Sequence, residues 1–519
     1  MRKENQMSRS EPTKSSSSNW PLSIACVSLL VHVIVNATGG YGIFRDELYY
    51  IACSEHLDWG YVDQPPLSLL VLAVNRALLG DSLVALRLLP ALAGAGVVLL
   101  SGLLARELGG KEFAQAIASL SALIAPLYLA IFDFYSMNAF DLLFAALSFY
   151  ILIRIVRTGN PKLWPLFGLV IGSGLQNKLS ILFLGFGLIM GLLLTSERRQ
   201  LTGKWFWFGA AIAAALFLPY IVWQIRHGWP TLEFMRNATL YKNAPVSLVD
   251  YLGGQVLMLH PNNLLVWVPG LLYLLFSRDG SRYRLFGIAY IAIFILFVVQ
   301  NGKPYYQGPT YPILFAAGGT AIERFTARRG WTWAKPALPA FLLMGGLYSA
   351  PMALPVLPVE TYIRYASSIG FAPQSEERDQ PTALGQHYSD MFGWKEMAET
   401  VARVYHALPP EDQAKCAILT QNYGQAGAID FFGEVYGLPK AISGHNSYWF
   451  WGPREYTGEV MIIVGGEREE HAPDFASCEQ ATVHTHPYAR SFETNLSIWV
   501  CRGLKWPLKE IWDEVRFFI

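Results

Sequence analysis

The chain has 519 residues, of which 53% are hydrophobic and only 15% charged, and its net charge is +1. So apolar a composition excludes an ordinary soluble protein and reads as a polytopic membrane protein. The near-neutral balance excludes the strongly basic face of a nucleic-acid binder, and the absence of CxxC, HExxH and finger-spaced Cys/His pairs gives structural zinc and the common metalloprotease signature no support.

Residues 1–19 are polar, carry the run Ser15–Ser18 and read as a disordered cytoplasmic tail. The apolar stretch 20–37 lacks a convincing small-residue cleavage site, so it is expected to stay as an anchor. Ten more apolar stretches follow, near 82–105, 113–131, 139–156, 162–177, 179–195, 205–225, 263–277, 284–300, 308–323 and 336–353, giving about eleven candidate transmembrane helices. The tail and the loops on its side hold 19 Lys and Arg, against 6 in the alternate loops, or 8 with Arg76 and Arg87. This bias predicts a cytoplasmic N-terminus and an extracytoplasmic C-terminus in a multi-pass membrane protein. The first loop, 39–66, then faces outward.

That loop opens with FRDELYY, where Asp46 and Glu47 follow the first span directly. Carboxylates near lipid are costly to hold and mark functional candidates. A helix-capping role is the plain alternative, but the neighbouring Tyr49 and Tyr50 and the cations expected on the same face favour a base in an accessible cleft, one able to take a proton from an acceptor hydroxyl. Further along, WGYVDQPPL (59–67) ends in a Pro pair that suits a helix entry, which leaves Asp63 as a second acidic group or a metal ligand.

Other polar residues interrupt apolar sequence at what should be the same face. Arg45, Asp133, Asp141, Lys178, His260 and Lys303 all do so. Lys178, at a break between two spans in GLQNKLSIL, would be expensive there unless it snorkelled or met an anion such as a lipid headgroup. Lys303 precedes Tyr305 and Tyr306 in NGKPYYQGPTYP; the tyrosines could be interfacial anchors, and the compact ammonium suits a phosphate. Asp141 could cap its helix and His260 in HPNN could cap the next span, or either, like Asp63, could belong to an acceptor or metal site.

After about residue 354 the apolar run ends, and 355–519 have the size and mixed composition of a small domain beside the membrane domain 20–354. Trp394, Met397, Val401, Val404, Tyr405 and Leu408 recur at helical spacing. Segments 414–420, 459–466 and 495–502 read as buried strands with a helix between the first two, predicting an extracytoplasmic α/β domain. Cys478 with Cys501 is the expected pair if the compartment is oxidising. Gly424 and Gly427 do not complete a dinucleotide fingerprint. The aromatic stretch 441–453 could stack on sugar rings or form core.

FRDELYY, GYVDQPPL, KPYYQGPTYPILFAAGG and QNYGQAGAIDFFGEVYGLPKAISGHNSYWFWGP together resemble the bacterial branch of the polyprenyl-phosphate-sugar glycosyltransferases. That superfamily includes protein O-mannosyltransferases and the aminoarabinose transferases of lipid A, and has the membrane GT-C fold. The resemblance covers nearly the whole chain and implies inverting transfer of a sugar from a lipid-phosphate donor to a lipid, glycan or protein acceptor on the outer face. It implies that Asp46 is the base, with Glu47 beside it in the motif, that Lys303, Tyr305 and Tyr306 lie near the donor, and that a divalent metal is sometimes present. The chain departs from some relatives at Gln64, where they carry a basic residue. A glycolipid transporter or flippase is the competing reading, but the charges gather at one face and no repeat is visible.

Overall fold

The computed structural model describes residues 18–380 and 382–519. The expected disordered tail, 1–19, falls almost wholly outside them. Each of the eleven apolar stretches carries a helix: Trp20–Thr38, Leu83–Glu107, Glu112–Ile124 continued by Pro126–Ile131, Met137–Thr158, Trp164–Leu175, Ile181–Leu193, Lys204–Arg226, Leu264–Phe276, Arg284–Val299, Tyr311–Arg329 and Ala334–Ser349. Among the described residues, five helices are long and apolar enough to cross a membrane alone, or seven if each of two bent pairs forms one span. The 12 residues of Trp164–Leu175 and the 13 of Ile181–Leu193 rise only about 18–20 Å, short of the ~30 Å hydrocarbon core. They meet at Lys178. Leu67–Leu79, between the first loop and the second span, is a further helix that sequence periodicity did not single out.

The long helix Leu83–Glu107 packs against Trp20–Thr38, Glu112–Ile124, Met137–Thr158 and Tyr311–Arg329. Across the helices of this region Leu30, Leu182, Leu272 and Leu347 stay exposed, as a lipid-facing surface requires. The chain is thus a multi-pass helical membrane protein.

The last part of the chain carries a four-stranded mixed sheet of β1 (Cys416–Thr420), β2 (Val460–Val464), β3 (Phe475–His484) and β4 (Leu496–Leu504) in the order β1-β2-β4-β3. β1 runs parallel to β2, and the other pairs are antiparallel. Three of these strands coincide with the apolar runs read from sequence. β3 does not, because as an edge strand it is exposed at most positions and shifts register between Gln480 and Thr482. Cys478 faces Cys501 across β3 and β4, and a disulfide joins them.

The membrane helices and the sheet region share one interior. Leu48, Tyr49, Tyr50 and Ile51, from the first-loop helix Arg45–Glu55, are buried with Met397, Val401, Ile418, Ile429 and Ile462. The segment after residue 354 adds Tyr362, Ala366 and Tyr388, which pack on Tyr41 and Phe44. The first loop is therefore clamped between the membrane helices and the C-terminal region, and a cleft forms along it.

Candidate functional site

The helix Arg45–Glu55 starts in the turn that carries the acidic pair. Glu47 turns back to its own N-terminus: its carboxylate accepts from the Phe44 amide at 2.8 Å and from the Tyr135 amide at 2.7 Å. Arg87 adds a two-pronged ion pair, Nε to Oε1 at 2.9 Å and Nη2 to Oε2 at 2.7 Å. With 1% of the residue exposed, Glu47 has no oxygen free for a substrate. Its expected part beside Asp46 in catalysis is corrected to holding the helix, because a buried carboxylate needs this full set of partners.

Asp46, one residue earlier, points elsewhere. Its side chain is 34% exposed and lies 3.5 Å from Arg45 Nε, and Oδ1 accepts from the Tyr423 hydroxyl at 3.0 Å. Tyr423 opens the helix Tyr423–Phe432, which is capped by Asn422, whose Oδ1 accepts from the amides of Gly424 and Gln425 at 2.9 and 3.1 Å. Two glycines let this helix approach the first-loop helix. A Cβ on Gly427 would stand 2.8 Å from the backbone of Leu48, and one on Gly424 would stand 2.7 Å from Arg45 Cγ.

Arg45 and Lys242 are near enough to act on Asp46 electrostatically, and Lys303 is near enough to act on both Lys242 and Lys178. Lys178 Nζ donates to Asn138 Oδ1 at 2.5 Å and lies 5.8 and 5.5 Å from the ring centres of Tyr305 and Tyr306. Asp141 is near enough to act on Lys178 electrostatically. It accepts from Ser180 Oγ at 2.8 Å, and its other oxygen is buried with no hydrogen bond. Lys303 pairs with Glu376 at 3.5 Å. Glu377 binds Arg45 at 3.2 Å, Lys242 at 3.8 Å and Arg490 at 2.9 Å. Burial pushes the Glu377 carboxyl up, but these three cations outweigh it and hold the group well below the usual carboxylate range. Burial pulls the Lys242 ammonium down.

Asp63 sits behind Asp46, accepting from the Tyr49 hydroxyl at 2.9 Å, and burial pushes its carboxyl up to about 6. Asp133 is fully buried, 3.4 Å from both His32 Nδ1 and Asn36 Nδ2. His260 does not join the cleft. It stands at positive φ at the start of the turn Pro261–Asn263, where Nδ1 accepts from the Asn262 amide at 3.0 Å, and it packs on Gly345. It is a cap, which replaces the expected acceptor or metal role.

Sequence reading missed Lys242, Glu376, Glu377, Tyr423 and Arg490. The charge run SEERD, 375–379, was the signal for two of them. In the aromatic stretch, Tyr448 is 1% exposed and Trp451 stacks on His56 at 4.1 Å; they are core, not a sugar platform.

A divalent cation is held by converging oxygen or nitrogen donors. Among the described residues no three His, Cys, Asp or Glu side chains converge in that way. The residues present do not fit a metal held by protein alone.

Residues 63–223 match the family described as dolichyl-phosphate-mannose-protein mannosyltransferase. No curated protein sequence matches the chain. Among solved structures, the chain is similar to ArnT from Cupriavidus metallidurans bound to undecaprenyl phosphate, with 16% identity over 93% of this chain and 98% of that one and a TM-score of 0.62. It is also similar to the apo oligosaccharyltransferase of Archaeoglobus fulgidus, with 13% identity, 82% and 65% coverage and a TM-score of 0.50. A mycobacterial arabinofuranosyltransferase, AftD, gives 13% identity, 95% and 42% coverage and a TM-score of 0.50. The architecture is that of the membrane GT-C glycosyltransferases.

Proposed function

We propose that this chain, having the GT-C glycosyltransferase fold, moves a sugar from a polyprenyl-phosphate donor to an acceptor hydroxyl on the extracytoplasmic face of a bacterial inner membrane, with inversion at the anomeric carbon. The carrying observation is Asp46: it keeps a partly exposed carboxylate beside Arg45 and Lys242, while the adjacent Glu47 is consumed by Arg87. The undecaprenyl phosphate bound to ArnT supports a lipid-phosphate donor for this chain too.

In this reading Asp46 accepts the proton of the acceptor hydroxyl, that oxygen bonds to the anomeric carbon, and the bond from that carbon to the phosphate oxygen breaks. Asp46 is suited to the role as a short carboxylate fixed by Tyr423 within reach of the cleft. The leaving lipid phosphate gains negative charge, which Lys178 and Lys303 stabilise where water is excluded by Tyr305 and Tyr306. Glu376 holds Lys303 in the absence of donor and gives way to the phosphate. Asp63 and Asp141 act behind this front, Asp63 by fixing Tyr49 and Asp141 by keeping Lys178 charged. No step needs a metal. The acceptor is a lipid, a glycan or a protein, and the chain's other partners are membrane lipids.

The test is Asp46→Asn. Transfer from a polyprenyl-phosphate sugar should fall by about 10²–10⁴-fold, the usual worth of a positioned base, while binding of the lipid donor persists. Transfer retained within a few-fold would sink the assignment.

A further inference from the structure

Next to Asp46, but not including it, lies a cavity of about 230 Å³ between the first-loop helix, the segment 375–379 and the C-terminal region. It is smaller than the 300–1,000 Å³ of drug-sized sites. Arg45, Glu377, Asp379 and Asn422 line it, and Tyr241 and Phe492 stand at its walls. These two rings are 65% and 41% exposed, although most large aromatic side chains of the region are buried. Arg490 covers one face of Phe492 at 4.5 Å, which leaves the exposure to the other.

The buried charges of the floor are paired with one another, Lys242 sharing Glu377 at 3.8 Å, and Arg378, which also lines the cavity, is exposed and donates from Nε to the Asn243 carbonyl. Arg45 pairs with Glu377 at 3.2 Å, and Asp379 pairs with Arg490 at 2.9 Å. A charged ligand would have to break buried pairs, at a cost that its own contacts must repay. Hydroxyl groups, which both donate and accept, can use the remaining lone pairs and N–H groups without breaking them. Exposed aromatic faces beside such a floor match a ring that is apolar on its faces and hydroxylated at its edge. The volume is of the size of a single sugar ring.

We propose that this cavity is a saccharide subsite that holds a neutral sugar unit of the acceptor next to the hydroxyl that reacts at Asp46. The assignment rests on the transfer reading above for its place in the reaction, and it makes the acceptor a glycan or glycolipid. Tyr423 links the two centres, since it lines the cavity and donates to Asp46.

Saturation-transfer NMR on the purified full-length protein, with methyl hexopyranosides and their disaccharides as probes and a Ser/Thr peptide and inorganic phosphate as controls, tests it. At least one saccharide should saturate, and binding should weaken about tenfold in Tyr241→Ala and in Phe492→Ala, the scale of one lost ring contact. Tyr241→Phe and Phe492→Tyr should restore it, and Asp46→Asn should leave it intact. No saturated saccharide, equal binding in both alanine variants, or saturation of the peptide instead would overturn the subsite. A second arm follows release of sugar from a polyprenyl-phosphate donor without acceptor. An unchanged rate in Tyr241→Ala assigns the ring to the acceptor, and a rate that falls with binding assigns it to the donor and overturns the proposal. If the wild type releases nothing while saccharide binding still depends on residues 241 and 492, the transfer reading fails and the subsite stands.

Discussion

Asp46 and Glu47 are neighbours in sequence with opposite fates, and the difference lies in their partners. Glu47 receives four hydrogen bonds, two of them from Arg87, and removing the arginine would strand a buried charge at a cost of about 3–5 kcal/mol. Asp46 receives one from a side chain of the C-terminal region and keeps the rest of its surface. A third acid extends the logic. Burial pushes Glu493 up to about 7, despite the hydrogen bonds donated by Gln425 and Asn422. Its folded form thus binds a proton more tightly than the unfolded chain. Its contribution favours folding most below the ordinary carboxylate range and is lost as pH rises towards 7. Melting of the purified protein should therefore show a decline in Tm from about pH 5 to 7 that Glu493→Gln flattens; an identical slope in the variant would contradict the assignment.

At the scale of elements, the decisive contact is that of the helices Arg45–Glu55 and Tyr423–Phe432. Gly427 meets the Leu48 backbone so closely that a methyl group cannot fit unless one helix moves. Gly427→Ala should cost about 1–3 kcal/mol of stability through overpacking. It should also lower transfer by about 10–100-fold by displacing Asp46, although the residue lies outside the cleft. Thermal melts and rate measurements together check this, and an active, destabilised variant would show that the helix contact holds the fold without setting the base. The same contact explains the two glycines of QNYGQAG, whose spacing fits no nucleotide fingerprint: they serve helix approach.

At the scale of the whole molecule, the proposed chemistry requires that the cleft face away from the cytoplasm. In a Cys26→Ser background, Val435→Cys should react with a membrane-impermeant maleimide added to intact cells, since Val435 is 85% exposed on the C-terminal region. Thr202→Cys, in an exposed turn among the basic loops, should react only after permeabilisation. The inverted pattern would place Asp46 on the cytoplasmic side and contradict the proposed extracytoplasmic transfer.

The positions of the eleven apolar helices, three of the four strands and the acidic motif were legible in the chain, because hydropathy, periodicity and charge are properties of short segments. Strand β3 was not, since an edge strand exposed on both faces carries no apolar alternation. Nor could sequence show that Arg87 and two amides use up the Glu47 carboxylate, or that Tyr423, 377 residues away, donates to Asp46. Those facts belong to packing: which carboxylate stays accessible depends on which cations and amides the fold brings to it, and side chains far apart in the chain converge only when helices close on one another.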